Sequence, residues 1–544
     1  MKDRNLLVGA ALLVLAGLLL FVPTLGLWQR PPLQTAGSPP VGATPMPQLQ
    51  AELAAAVEST PTPPSQAQSG DGQLREFQLT MSKIKWDIAP GKIVDAYAYN
   101  GQVPGPELRV TEGDTVRVTV TNLAEAPTTV HWHGVDVPTS MDGVPDLSQA
   151  PISPGSSFTY EFVATPAGTR WYHSHFDEIA QQGAGLYGAL IIEPRQPIQP
   201  QPDREYTIVA SQWQTGATEA NGSPLPAVPT PSADGMAGMS GMGGMSGMTG
   251  MGSQPRGPTP TTSGSGATAG MTMFPPGATL PAFDTFTLNG KAVPAVPPLV
   301  VHEGERVHLR LINAGATDTL VFGLAGHKLS VTNSDGNPLL TPAEVDGVPL
   351  GVGERADVEF VANNPGRWRF LALGNKAGRG AYATLVYEGH EKDRIQDFPS
   401  NANLHVASYA DFVGPPHLGA PDRTMKLELS GGAMMGMGSE TNWTINGKNF
   451  PNTDSLYVKS GERVRLSILN MSMEDHPMHL HGHTFQLVAV NGRSVDGPLK
   501  DTLTVRHMEQ YDIEFIANNP GDWLFHCHNL VHMTGGLMME LHYQ

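Results

Sequence analysis

Residues 446–470 read NGKNFPNTDSLYVKSGERVRLSILN, and the chain writes this pattern three times. The first copy is NGQVPGPELRVTEGDTVRVTVTN at residues 100–122, and the second is NGKAVPAVPPLVVHEGERVHLRLIN at residues 289–313. Each opens on an Asn-Gly turn signal, runs through a short strand and turns again at a Gly-acidic pair: Gly113-Asp114, Gly304-Glu305 or Gly461-Glu462. Each then ends in a strand where apolar and polar residues alternate. A second echo follows in every copy: FVATPAGTRWYHSH from Phe162, FVANNPGRWRFLAL from Phe360 and FIANNPGDWLFHCH from Phe515. Self-similarity of this kind marks a tandem array of one folding unit. The expected fold is all-β, with three tandem β-sandwich domains at about 73–196, 197–397 and 398–544, a division that suits 544 residues.

Charge narrows the partners. Against 33 Lys and Arg stand 51 Asp and Glu, a net charge of −18, and no basic cluster interrupts the acidic balance. Such a chain repels a phosphate backbone, so nucleic acid is excluded as a partner. After Lys2 and Arg4, residues 5–29 carry no charge and are rich in Leu, Val, Gly and Ala. That run is long enough to span a bilayer and serves equally as an export signal, so residues 1–30 are read as a signal peptide or a membrane anchor. Basic residues on its short side place the rest of the chain outside the cytoplasm: secreted, periplasmic or anchored to the outer face of the membrane. Residues 31–72 are a Pro/Ala/Ser/Thr-rich linker that cannot bury enough surface to fold.

The chemistry sits where the repeats differ. The first copy carries His173-Ser174-His175 after its tryptophan and the third carries His526-Cys527-His528. The middle copy has Leu371, Ala372 and Leu373 at the place of the latter triplet, so it reads as a spacer for the chemistry or a wall for substrate. Two further motifs complete the set: His131-Trp132-His133 and His476-Pro477-Met478-His479-Leu480-His481. On a strand, residues i and i+2 share a face, so each His-x-His pair offers two imidazoles together. Four pairs could enclose a multinuclear metal cluster between two domains. Cys527, the single cysteine, must leave its strand on the other face, where His476 and His532 can join it in a blue-copper arrangement of two imidazoles and a thiolate. A four-coordinate zinc site does not need so many histidines. His327 and His483, at matching positions of a ligand-free and a ligand-bearing copy, are read as structural.

From about residue 73 to the end, the chain resembles the three-domain multicopper oxidases: laccases, bilirubin oxidases and bacterial cuprous oxidases. That resemblance implies Greek-key cupredoxin domains and four copper ions. It implies type 1 ligands His476, Cys527 and His532, and type 2 ligands His131 and His479. The paired type 3 ions would take His133, His173 and His528 on one side and His175, His481 and His526 on the other. It further implies that a reducing substrate gives electrons singly at the type 1 copper. These pass through Cys527 to His526 and His528, and O2 is reduced to water at the trinuclear cluster. Asp142 stands where the family keeps a carboxylate near the type 2 copper. Leu537 stands where many bacterial members place an axial methionine, with Met538 beside it. Met533 replaces a glutamate that several bacterial members use in proton delivery.

Methionine is in excess, at 23 residues. Met236, Met239, Met242, Met245, Met248 and Met251 recur every third residue in a Gly/Ser/Thr background that cannot build a core. Thioethers favour soft Cu(I). A second group, Met434, Met435 and Met437, precedes the third repeat, and Met471, Met473, Glu474 and Asp475 lie just before His476 as a Cu(I) docking site. The leading expectation is therefore an extracytoplasmic oxidase of Cu(I). A laccase acting on phenols and aromatic amines is the alternative within the enzyme class. A non-catalytic copper-sequestering protein is the alternative outside it, and a thiolate wired to a cluster argues against storage alone.

Overall fold

The computed structural model describes residues 72–197, 199–216, 273–274, 278–374, 379–399, 403–417, 419–432 and 441–544. The N-terminal segment, all of the linker but its last residue, Met236–Met251 and Met434, Met435 and Met437 lie outside the described residues.

Almost every described element is a strand, and the strands form six sheets that pair into three sandwiches. The repeat explains the layout. In each unit the alternating strand (Thr115–Asn122, Arg306–Asn313, Arg463–Asn470) lies inside one sheet. It pairs in parallel with the unit's opening strand and antiparallel with the strand that begins the second echo. The Asn-Gly turns take the left-handed conformation at both residues, with φ of 54° and 72° at Asn100-Gly101 and nearly the same at Asn289-Gly290 and Asn446-Gly447. These are the residues that tolerate such a turn. At the far end of each alternating strand a buried asparagine ties down the next loop. Asn122 donates to the carbonyls of Ala126 and Ile152, Asn313 to those of Asp318 and Leu350, and Asn470 to those of Glu474 and Val505.

The other sheet of each sandwich carries the site positions. In the first unit His131–His133 pairs with Gly168–His173, placing His131 opposite His173. In the third, His476–Leu480 pairs with Asp522–Cys527, placing His479 opposite His526 and Met478 opposite Cys527. The middle unit repeats the arrangement with Leu320–Leu324 against Arg367–Leu373, both apolar at these positions. Buried apolar side chains of the first and third sandwiches form one continuous cluster, while the middle sandwich has its own. The imidazoles thus gather where two domains share a core. His327 and His483 each hold a tyrosine hydroxyl at 2.6 Å (Tyr387 and Tyr543) and stand edge-on to a tryptophan (Trp368 and Trp523). Both are braces of their own domain.

Among the described residues no helix is long and apolar enough to cross a membrane.

Candidate metal centre

The first and third sandwiches bring eight histidines together in one buried cage. His133, His173 and His528 form one group of converging ligand atoms, and His175, His481 and His526 form a second. His131 and His479 face each other through Nε2 atoms 3.3 Å apart. Backbone carbonyls, which only accept, fix half of the ring orientations. His131 Nδ1 donates to the Asp142 carbonyl, His479 Nδ1 to that of Asp501, His173 Nδ1 to that of Ser174 and His526 Nδ1 to that of Cys527. Each of these rings therefore turns a bare Nε2 inward. His481 does the same, its Nδ1 held by Asp142 Oδ2 at 2.8 Å, and its Nε2 lies 2.9 Å from that of His526. His133 is turned the other way. Its Nε2 donates to Asp501 Oδ1 at 3.0 Å and Thr502 Oγ1 at 2.9 Å, and its Nδ1 is the inward atom.

The electrostatics agree with a cage of neutral rings. Burial first, then neighbouring imidazoles, hold His133, His173, His479, His481 and His526 well below the usual histidine range, and His528 at about 3. His175 is the exception: burial lowers it, yet the Glu178 carboxylate 2.9 Å from Nδ1 leaves it raised overall. His133 Nδ1, His173 Nε2, His175 Nε2 and both ring nitrogens of His528 are buried without a hydrogen-bond partner. Buried nitrogens of this kind are costly unless something else satisfies them. Lone pairs facing lone pairs at about 3 Å fit a shared cation.

Cys527 leaves its strand on the opposite side. Its Sγ lies 3.8 Å from His476 Nδ1 and 3.6 Å from His532 Nδ1, which are 2.9 Å from each other. Burial pushes the thiol pKa up, as expected of a sulfur that a metal, not solvent, would ionise. A single helical turn, Leu530–Thr534, returns His532 to this place. Asn529 caps the turn by accepting from the Val531 and His532 amides, and Gly535-Gly536 ends it. The chain then runs back beneath the cysteine, where the Leu537 carbonyl accepts from the Cys527 amide. Leu537 is fully buried in the apolar cluster that contains Cys527, whereas Met538 packs on the other face with Val144, Phe450 and Leu524. Trp443 covers His532 at 4.0 Å between ring centroids.

The loop before His476 lies at the rim. Ser472 Oγ stands 2.7 Å from His476 Nε2, and Glu474 Oε2 stands 3.1 Å from His532 Nε2. Met471 and Met473 are 37% and 62% exposed. The structure adds residues that no local motif announced. His507 and Met508 reach the same rim, where the Met508 amide donates to Asn470 and that of His507 to Asp475, and Met508 is 52% exposed. Glu178, Asp501 and Thr502 touch cage histidines. Met533 packs with Phe283, Ala316, Leu530 and Val531 and offers no carboxylate there. The middle sandwich comes closer than a spacer would. A Cβ on Gly353 would stand 2.9 Å from the His528 ring and 3.2 Å from that of His133. The middle unit is a wall of the histidine cage.

Three sandwiches, with one cysteine and two histidines joined through a single strand to a buried cage of imidazoles, define a copper-dependent oxidoreductase. Sequence models of the multicopper oxidase family match residues 80–197, 261–390 and 422–544. Multicopper oxidase MmcO of Mycobacterium tuberculosis is 31% identical over 481 residues, 88% of each chain. Copper resistance protein A of Pseudomonas syringae pv. tomato is 26% identical over 86% of this chain and 92% of its own. The crystal structure of laccase from Botrytis aclada superposes with a TM-score of 0.62 at 25% identity, covering 88% of each chain. The chain belongs to the multicopper oxidase family.

Proposed function

We propose that this protein is an extracytoplasmic oxidase of Cu(I), coupling one-electron oxidation of its substrate to four-electron reduction of O2 to water. His476, Cys527 and His532 would hold the type 1 copper, and buried Leu537, in the apolar cluster with Cys527, would offer it no thioether donor. His131 and His479 would hold the type 2 ion, and the two histidine triplets of the cage would hold the type 3 pair. When bound, the four coppers supply the electron storage and dioxygen chemistry. The residues supply placement. Cys527 and its neighbours His526 and His528 join the two centres through one short covalent segment. Asp142 orients His131 and His481 together, one through its backbone carbonyl and the other through its carboxylate. Buried apolar residues around Cys527 keep water from the thiolate.

The observation that carries the choice of substrate is Glu474. Its carboxylate is exposed at the surface yet touches Nε2 of buried His532, on a loop that also carries the exposed residues Met471 and Met473, with exposed Met508 bound through its amide to Asn470 at the base of that loop. A soft cation docked there is attracted by thioether and carboxylate together and sits one imidazole from the type 1 site. The Met236–Met251 segment supports the same reading by composition, as a collector of Cu(I). Copper resistance among the relatives' names points the same way. Export follows from residues 5–29, read as signal or anchor.

Oxygen consumption with Cu(I) and with a small phenol, measured on the full chain and on one lacking residues 231–255, tests this choice. The deletion should leave the blue absorption unchanged and raise the apparent KM for Cu(I), because uniform ground-state binding has been removed. Phenol oxidation should continue as before or faster. Unchanged Cu(I) efficiency would make laccase the better description.

A further inference from the structure

We infer that Arg355, from the middle sandwich that holds no proposed ligand, is a positioning residue for the histidine cage of the other two. It acts by fixing Asp501, which in turn sets the orientation of His133 and His479. This rests on the copper assignment above and extends it to a domain that the ligand motifs leave out.

The geometry is a fork. Arg355 Nη1 donates to Asp501 Oδ1 and Nη2 to Asp501 Oδ2, both at 2.6 Å, and both side chains are buried. The remaining donors are also used: Nε to the Thr169 carbonyl, Nη1 to that of Gly353 and Nη2 to that of Asp335. All five guanidinium N–H groups thus have acceptors, drawn from the first, middle and third sandwiches. A lysine keeps the charge and cannot reproduce this planar set.

Asp501 passes the constraint on. Its Oδ1 accepts from His133 Nε2 at 3.0 Å and from Thr502 Oγ1 at 2.9 Å, while its backbone carbonyl accepts from His479 Nδ1 at 2.8 Å. Thr502 Oγ1 lies 2.9 Å from His133 Nε2 and 3.1 Å from His479 Nδ1. This is why His133 is turned around relative to the other cage rings: its proton sits on Nε2, and Nδ1 is left to face His173 and His528. His133 and His479 stack at 3.8 Å, so moving one moves the other. The same loop makes a second, independent contact. Gly353 adopts φ +89° and lies against His528 and His133 so closely that no side chain fits. The pieces meet across 146 residues of sequence between Arg355 and Asp501.

The test is Arg355→Lys in the full chain, loaded with copper. The type 1 blue absorption should stay at wild-type intensity. The type 2 signal in electron paramagnetic resonance should be lost or change its hyperfine splitting, and a chelator should strip the trinuclear copper about 10–100-fold more readily, the usual cost of removing a group that orients a metal ligand. Asp501→Asn, which keeps one acceptor oxygen but breaks the second arm of the fork, should produce the same selective change, and it decides the matter if the lysine variant does not fold. A folded variant with a lowered thermal midpoint, an unaltered type 2 spectrum and wild-type chelator resistance would show Arg355 to be an interdomain rivet only, and overturn the inference. A wild-type protein with neither blue absorption nor a type 2 signal would instead overturn the copper assignment itself.

Discussion

Replacing Cys527 by serine removes the thiolate from a site whose other groups remain in place. The side chain is fully buried, with Sγ 3.6 and 3.8 Å from two imidazole nitrogens, so the shorter hydroxyl still has ring nitrogens to approach. In copper-free protein the exchange should therefore cost only about 1–2 kcal/mol, the scale of one buried hydrogen bond. With copper the two proteins separate. A ligand held only by the folded state stabilises it by about 2.7 kcal/mol at 100 times Kd and about 4.1 kcal/mol at 1,000 times Kd. Serine forfeits that contribution at the type 1 site alone. At roughly 2–4 °C per kcal/mol for a unit of about 150 residues, the gap in Tm should widen by on the order of 10 °C when copper is added. Calorimetry of both proteins, with and without copper, measures it. The variant should also be colourless, carry one copper fewer per chain and be unable to turn over, while its type 2 signal persists. A serine variant that stays blue, or one that loses the cage copper as well, would refute the reasoning.

Leu537→Met introduces a weak axial donor at nearly constant volume, at a cost below about 1.5 kcal/mol, and should lower the type 1 reduction potential in a redox titration. Met538→Leu, on the opposite face, should leave the potential unmoved, and a shift there would mean that the register of this strand has been misread. Glu474→Gln and Met473→Leu should each raise the apparent KM for Cu(I) several-fold and leave phenol oxidation intact; equal losses on both substrates would remove the rim from substrate binding. Acid should unfold the copper-free protein early. Six cage histidines, His133, His173, His479, His481, His526 and His528, are held below the ordinary value of about 6.5, His528 at about 3, so the unfolded chain takes up protons first as pH falls. Stability is then full above about pH 6.5 and declines below it by up to ~1.4 kcal/mol per pH unit for each such ring, until the folded pKa is reached. A copper-free Tm that stays flat from pH 7.5 to 4.5 would contradict neutral rings.

The parts that could be read from sequence are those with a local period. His-x-His falls on one face of a strand because side chains alternate, and a cysteine between two histidines must point away from them. The three Asn-Gly turns and the alternating strands that follow announce themselves for the same reason. Arg355, Asp501, Thr502 and Glu178 follow no such rule. Arg355 and Asp501 sit in ordinary strand-edge sequence, and their meaning arises only when elements from three sandwiches are folded together. His507 and Met508 join the rim through backbone bonds to a loop more than thirty residues earlier. The middle repeat was legible as ligand-free, yet its loop at Gly353 reaches the cage through a close backbone approach that a missing side chain permits.

That middle repeat also bears on when the metal enters. It folds around Leu371, Ala372 and Leu373 where its sibling carries His526, Cys527 and His528, and it keeps the same buried asparagine and the same histidine brace. The scaffold therefore closes without any metal, unlike a zinc finger, whose chain is unfolded until the ion arrives. Folding and metallation should then be separable, so that the copper-free chain shows the same β-sheet content by circular dichroism as the copper-loaded chain. The chain can finish its architecture first and wait as an empty vessel, and the supply of copper then decides how many finished molecules become working ones.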